Sequence, residues 1–114
     1  MRVAVAGGAG FLGSHLCDAL LERGDQVVCL DNLVTGRRAN IAHLRAESAF
    51  EFIECDVTEG VDVSGTLDAV MHLASAASPR DYFALPLETL AAGSSGTKHL
   101  IDLALSRGAR FFLA

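Results

Sequence analysis

Gly7, Gly10 and Gly13 stand at three-residue intervals in the segment Gly7-Gly8-Ala9-Gly10-Phe11-Leu12-Gly13. The chemistry open to such a run is anion binding by the main chain. Gly7 permits a tight turn out of a preceding strand. Gly10, with no side chain, lets backbone N–H groups approach a pyrophosphate. Gly13 lets the following helix pack closely on the strand. The helix N-terminus then directs free N–H groups and its positive dipole end at the phosphates. Asp31 lies eighteen residues beyond Gly13. A carboxylate there accepts hydrogen bonds from the adenosine ribose hydroxyls and repels a 2′-phosphate, so NAD is expected. Arg37 and Arg38 follow closely and keep NADP open as the alternative, unless they sit at the cofactor's edge or in solvent. Asp56 and Val57 suit an adenine, the acid on its amino group and the valine on its ring; a plain surface loop is the other reading. Leu73, Ala74 and Ser75 are small or apolar enough for a cofactor to lie across them.

These groups need elements that bring them together. The run Arg2 to Ala6 is short, β-branched and apolar, and predicts a buried strand ending at the glycines. The spacing of Leu12, Leu16, Ala19, Leu20 and Arg23 predicts a helix over 11–23, with Gly24 placed as its C-terminal cap. Further strands are expected at Gln26–Leu30, Phe50–Glu54, Leu67–Leu73 and Arg110–Ala114. A short helix is expected around 40–45, and a loop with one helical turn over 74–86. A long helix is expected over Leu87–Arg107, burying Leu90, Leu100, Ile101, Ala104 and Leu105, with Gly108 ending it. Strand and helix alternate, so the fold class is α/β, a doubly wound parallel sheet of about five strands. Asp31, Asp56, Ser75 and the glycine turn then all fall at carboxyl ends of parallel strands, where open sheets of this kind bind ligands.

Composition narrows the partners. The 114 residues fit one domain, 1–114, and 51% are apolar. The net charge of -5 disfavours nucleic acid, which needs a surplus of Lys and Arg. No apolar run approaches the ~20 residues that span a bilayer, and no secretory leader is evident, so a cytoplasmic location without membrane attachment is expected. Cys17, Cys29 and Cys55 match no zinc or redox spacing and read as small buried hydrophobes. The four histidines form no ligand pair, and no metal site is expected.

Four segments together resemble the extended short-chain dehydrogenases/reductases of the NAD-dependent epimerase/dehydratase family: GGAGFLGSHL (Gly7 to Leu16), DNLVTGRRANI (Asp31 to Ile41), CDVTE (Cys55 to Glu59) and HLASAASPRDY (His72 to Tyr82). The likeness is greatest to UDP-glucuronate decarboxylases, then to dTDP-glucose dehydratases and sugar-nucleotide epimerases. It implies a Rossmann-type fold, NAD as cofactor and a nucleotide sugar as substrate. It also implies roles. Gly10, Phe11 and Leu12 would touch the pyrophosphate. Asp31, Asn32, Val34, Thr35 and Gly36 would surround the adenosine ribose. Asp56 and Val57 would hold the adenine. Leu73 and Ser75 would line the path to the nicotinamide, and Tyr82 would lie near the sugar nucleotide.

The chain departs from that family in two places. Where the decarboxylases carry a Lys-Thr-Asn run in the long helix, this chain has Ala91, Ala92 and Gly93. The family's acid–base pair is Tyr-x-x-x-Lys on the helix after the fifth strand, joined by a Ser or Thr just beyond that strand. Here the one tyrosine, Tyr82, is followed four residues later by Pro86, and the one lysine is Lys98. Asp18 and Glu22 belong to a solvent-facing stripe, Ser75 and Ser78 have no adjacent base, and Ser94 and Ser95 sit mid-helix where packing is the expected role, so no catalytic residue is assigned. The expectation is a chain truncated after the fifth strand, the NAD-binding portion of a nucleotide-sugar lyase or epimerase. A stand-alone non-catalytic NAD-binding module or an inactive remnant are the alternatives. The apolar end at Phe111, Phe112 and Leu113 is expected to need cover, from a partner or a homodimer.

Overall fold

The computed structural model describes all 114 residues. Five parallel strands form one sheet in the order β3-β2-β1-β4-β5, with β1 at Arg2–Ala6, β2 at Gln26–Asp31, β3 at Phe50–Glu54, β4 at Ala69–His72 and β5 at Arg110–Leu113. From β1 the chain first steps outward to β2 and β3, then returns to add β4 and β5 on the other side. The reversal occurs beside β1, at the point where such sheets open a crevice.

Alternation along the central strands divides the core between two faces. Val3, Val5, Val27 and Cys29 face α1 (Phe11–Glu22), meeting Cys17 and Leu20. Ala4, Ala6, Val28 and Leu30 face the opposite way, and the helix that ends at Arg107 covers them with Leu100, Leu103 and Ala104. The sheet is thus covered on both sides, and the middles of its central strands β1 and β2 are apolar.

The helices bury only some of the residues expected: Leu20, Leu100 and Ala104 are buried, the others are not. On α1 the buried positions are Gly13, Ser14, Cys17 and Leu20, while Leu12 and Ala19 are exposed and Leu16 only half-buried. Beside Leu20, buried as expected, the side nearest the sheet carries small residues, because the helix approaches the strands closely at its first turns. The helix ends as expected: Gly24 has φ +94°, and the Asp25 N–H reaches back to the Leu20 carbonyl at 3.0 Å.

After β4 the expected single helical turn is α2 (Pro79–Ala84), and the expected long helix is broken into α3 (Pro86–Ala91), a π-helical turn (Ala92–Gly96) and α4 (Thr97–Arg107). The π turn changes the phase of the helix by roughly one residue. Leu90 therefore leaves the buried face and is 68% exposed. On α4 the buried stripe is Leu100, Leu103 and Ala104; Ile101 and Leu105, both expected to be buried, are exposed, Leu105 by 74%. The expected short helix at 40–45 is two 3₁₀ turns, Arg38–Asn40 and Ala42–Leu44. No helix is long and apolar enough to cross a membrane.

Candidate functional site

A cleft of about 370 Å³ runs along the carboxyl ends of β1, β2, β3 and β4. Its floor is the glycine turn. Gly7, at φ +82°, packs so closely that a Cβ there would stand 2.6 Å from the main chain of Leu73, beyond β4. At Gly13 a Cβ would come within 2.0 Å of the Gly7 carbonyl oxygen. Both glycines therefore set the distance between helix and sheet. Gly10 differs: its missing Cβ would meet only the Gly7 carbonyl oxygen, at 3.3 Å, and the residue lines the cleft. No side chain caps α1, and the N–H groups of Phe11 and Leu12 donate to no protein acceptor. Open space at Gly10 beside unbonded N–H donors is the arrangement an anion requires. The side chains of Phe11 and Leu12 are exposed, so only their main chain can serve the cleft.

On the β2 side the loop brings Asp31, Asn32, Val34, Thr35 and Gly36 to the cleft. The buried Asp31 carboxylate accepts the Ala9 N–H at 2.9 Å on one oxygen and the Leu33 N–H at 2.8 Å on the other. Each oxygen keeps a further lone pair, so the group is oriented without being exhausted. Gly36 lies against it, where a Cβ would stand 2.9 Å from both carboxylate oxygens. Arg38 pairs with Glu54 and lies over the Phe52 ring at 5.5 Å. Arg37 makes no side-chain bond of this kind, and its N–H holds the Ala9 carbonyl at 3.0 Å.

On the β3 side Asp56 and Val57 line the cleft. One Asp56 oxygen accepts both the N–H and the hydroxyl of Thr58, at 2.9 and 2.7 Å, leaving the other free. Val57 is buried, with Gly96 of the π turn close enough that a Cβ there would stand 2.8 Å from a Val57 methyl. Cys55 is half-buried and also lines the cleft, unlike the fully buried Cys17 and Cys29, which corrects the expectation that all three are core residues. Burial, with the nearby Asp31 and Asp56 charges, pushes the Cys55 thiol up, so it is held protonated.

Beyond β4, Leu73, Ala74 and Ser75 line the cleft as expected. His72 holds them in place from below. The Ala74 N–H donates to Nδ1 at 3.2 Å, so Nε2 carries the proton and donates to the Ala92 carbonyl of the π turn at 3.1 Å. Burial pushes this imidazole below its ordinary value. Tyr82 does not line the cleft; it packs against Phe83, ring centroids 5.1 Å apart. The wall that sequence reasoning missed is Leu85, Leu87, Glu88 and Thr89, with Ala91 and Ala92. Pro86, a residue favoured at the first turn of a helix, was the available signal that this wall begins so near the strand tips.

The sheet order, the glycine turn and the cleft define a dinucleotide-binding α/β unit of the Rossmann class. Residues 3–114 match the NAD dependent epimerase/dehydratase family, and the chain belongs to that family. It is 44% identical over 113 residues to UDP-glucuronic acid decarboxylase 1 of Arabidopsis thaliana, covering 99% of this chain and 26% of that protein. Among solved structures, a UDP-galactose 4-epimerase superposes with TM-score 0.80 at 31% identity, over 99% of this chain and 37% of that one. A dTDP-glucose 4,6-dehydratase from Streptomyces venezuelae, solved with NAD bound, gives 0.81 at 31% identity, over 96% and 37%. The chain thus spans about a quarter of the length of the curated relative.

Proposed function

We propose that this chain binds NAD and forms the adenosine- and pyrophosphate-holding part of an enzyme that modifies a nucleotide sugar, of the decarboxylase or dehydratase kind. The observation that carries the cofactor reading is the glycine turn: the N–H groups of Phe11 and Leu12 have no acceptor in the protein, and Gly10 just before them lines the cleft without a side chain. Gly7 and Gly13 keep that turn in place. Asp31, already oriented by two backbone N–H groups, would accept the ribose hydroxyls, with Asn32, Val34, Thr35 and Gly36 around them. Asp56 would take the adenine amino group on its free oxygen, beside Val57. Leu73, Ala74 and Ser75 would floor the path toward the nicotinamide. When bound, NAD would take a hydride from a sugar carbon and later return it. The 44% identity to a UDP-glucuronic acid decarboxylase supports a nucleotide sugar as substrate.

We assign the protein to the cytoplasm, and we read the exposed Leu105, Phe112 and Leu113 as a face for a second copy. The cofactor reading is tested by calorimetric titration of the intact protein with NAD and NADP. We expect saturable binding of NAD, weaker binding of NADP, and loss of both in Gly10→Val, whose branched side chain enters the anion space. Equal affinity of Gly10→Val and the unaltered protein for NAD would sink it.

A further inference from the structure

Beside the cleft lies a second, more polar depression, lined by Thr35, Gly36 and Arg37 after β2 and by Ser78, Arg80 and Asp81 after β4. It shares Val34, Thr35 and Gly36 with the cleft. Its position follows from topology. Strands β2 and β4 flank β1 on opposite sides, so loops from their ends meet across the turn that leaves β1. That turn is Gly7–Gly13, the floor of the cleft. The Arg37 main chain is tied down there, its N–H donating to the Ala9 carbonyl at 3.0 Å. Neither the Arg37 nor the Arg80 guanidinium has an acceptor or a salt-bridge partner in the protein, whereas the adjacent Arg38 is paired with Glu54. Asp81 is the one carboxylate on the depression, so two positive charges against one negative leave it net positive.

We propose that Arg37 and Arg80 form a two-armed clamp that closes over the diphosphate of the dinucleotide from the solvent side, while the α1 N–H groups hold it from below. The proposal rests on the cofactor reading above. A guanidinium matches phosphate oxygens with two parallel N–H donors, and such charge-assisted bonds are about twice as strong as neutral ones. Ser78 lines the same depression, and its hydroxyl is a further donor there. The clamp recognises the diphosphate and not the bases, so it raises affinity for NAD without altering the adenosine contacts at Asp31 and Asp56.

The test is titration of the intact protein, free of nucleotide sugar, with NAD, NADP and adenosine at low and high salt. Arg37→Gln and Arg80→Gln, singly and together, remove the charges; both side chains are exposed and unpaired, and unchanged thermal unfolding verifies that the variants fold. Each single variant is expected to weaken NAD about tenfold and the double variant more, with a shallower dependence on salt and unchanged affinity for adenosine. A double variant that binds NAD as tightly as the unaltered protein overturns the clamp and leaves the cofactor reading standing. Loss of affinity for NADP alone overturns it as well, by assigning the arginines to a 2′-phosphate. Failure of the unaltered protein to bind NAD is a different result, and removes the cofactor reading itself.

Discussion

Two segments meet at the cleft, and they are built on opposite rules. The turn Gly7–Gly13 is fixed by contacts of main chain on main chain: a Cβ at Gly7 or Gly13 would lie within 2.6 or 2.0 Å of backbone atoms. The segment Leu85–Gly96 is fixed at few points. Leu87 and Leu90 are exposed, the π turn interrupts the helix, and at Gly93 a Cβ would meet nothing within 4 Å. One side of the cleft is thus a rigid floor and the other a lightly tethered wall. The lesson is that the floor's geometry is set by main chain that tolerates no added Cβ at Gly7 or Gly13, while the wall has open space for one at Gly93.

The largest expected effects lie beneath the two segments. Leu100→Ala removes a fully buried side chain from the core under α4 and is expected to cost about 2–5 kcal/mol. Leu90→Ala, on the far side of the π turn, is expected to change stability by no more than about 0.5 kcal/mol. Urea denaturation of both variants checks the pair. Equal costs would mean that Leu90 and Leu100 share a buried face after all. Next comes the floor. Gly13→Ala forces backbone apart at the Gly7 carbonyl and is expected to cost about 3 kcal/mol, the upper part of the range for overpacking.

What the sequence made legible follows the same division. The strands were readable because apolar runs such as Arg2–Ala6 coincide with the buried centre of the sheet, and the alternation of Phe50–Glu54 with its half-buried edge. The glycine turn, Asp31 and Asp56 were readable because their chemistry is tied to strand ends. The helix faces were partly misread for a physical reason. Leu20, Leu100 and Ala104 are buried as expected, but periodicity gives weight to leucines, and the side of α1 that touches the sheet also carries Gly13, Ser14 and Cys17, whose small size is what close packing demands. The π turn carries no propensity signal of its own. It is sustained by tertiary contacts, the Ala92 carbonyl on His72 and Gly96 against Val57, which join residues far apart in the chain.

His72 ties the wall to the end of β4, through the Ala92 carbonyl and the Ala74 N–H, so this tether can be tested by pH. The folded protein holds the imidazole neutral, below its usual 6.5, because burial penalises the charged form. Protonation would also cost Nδ1 its role as acceptor for Ala74. The contribution is therefore fully present above pH 6.5 and is lost as pH falls from there through the lower folded value. His72→Leu leaves the Ala74 N–H without this acceptor and is expected to cost about 1–3 kcal/mol at pH 8. The difference in stability between the unaltered protein and the variant should shrink on acidification from pH 7 to pH 5. A difference constant across that range would show that the ring is not held neutral.

The smallest effect has the opposite sign. Gly93 lies in a helical run, has no positive φ, and is exposed with open space where its Cβ would point. A glycine in such a place costs the unfolded-to-folded transition more conformational entropy than alanine does. Gly93→Ala is therefore expected to stabilise the protein by about 1 kcal/mol, read as a rise in the urea midpoint with unchanged slope. The same chemical change at Gly13 is expected to destabilise, because there the added methyl meets backbone. If Gly93→Ala also destabilises, the wall is not the lightly held segment described above. The π turn would then depend on glycine at that position, and its backbone would be as constrained as the floor it faces.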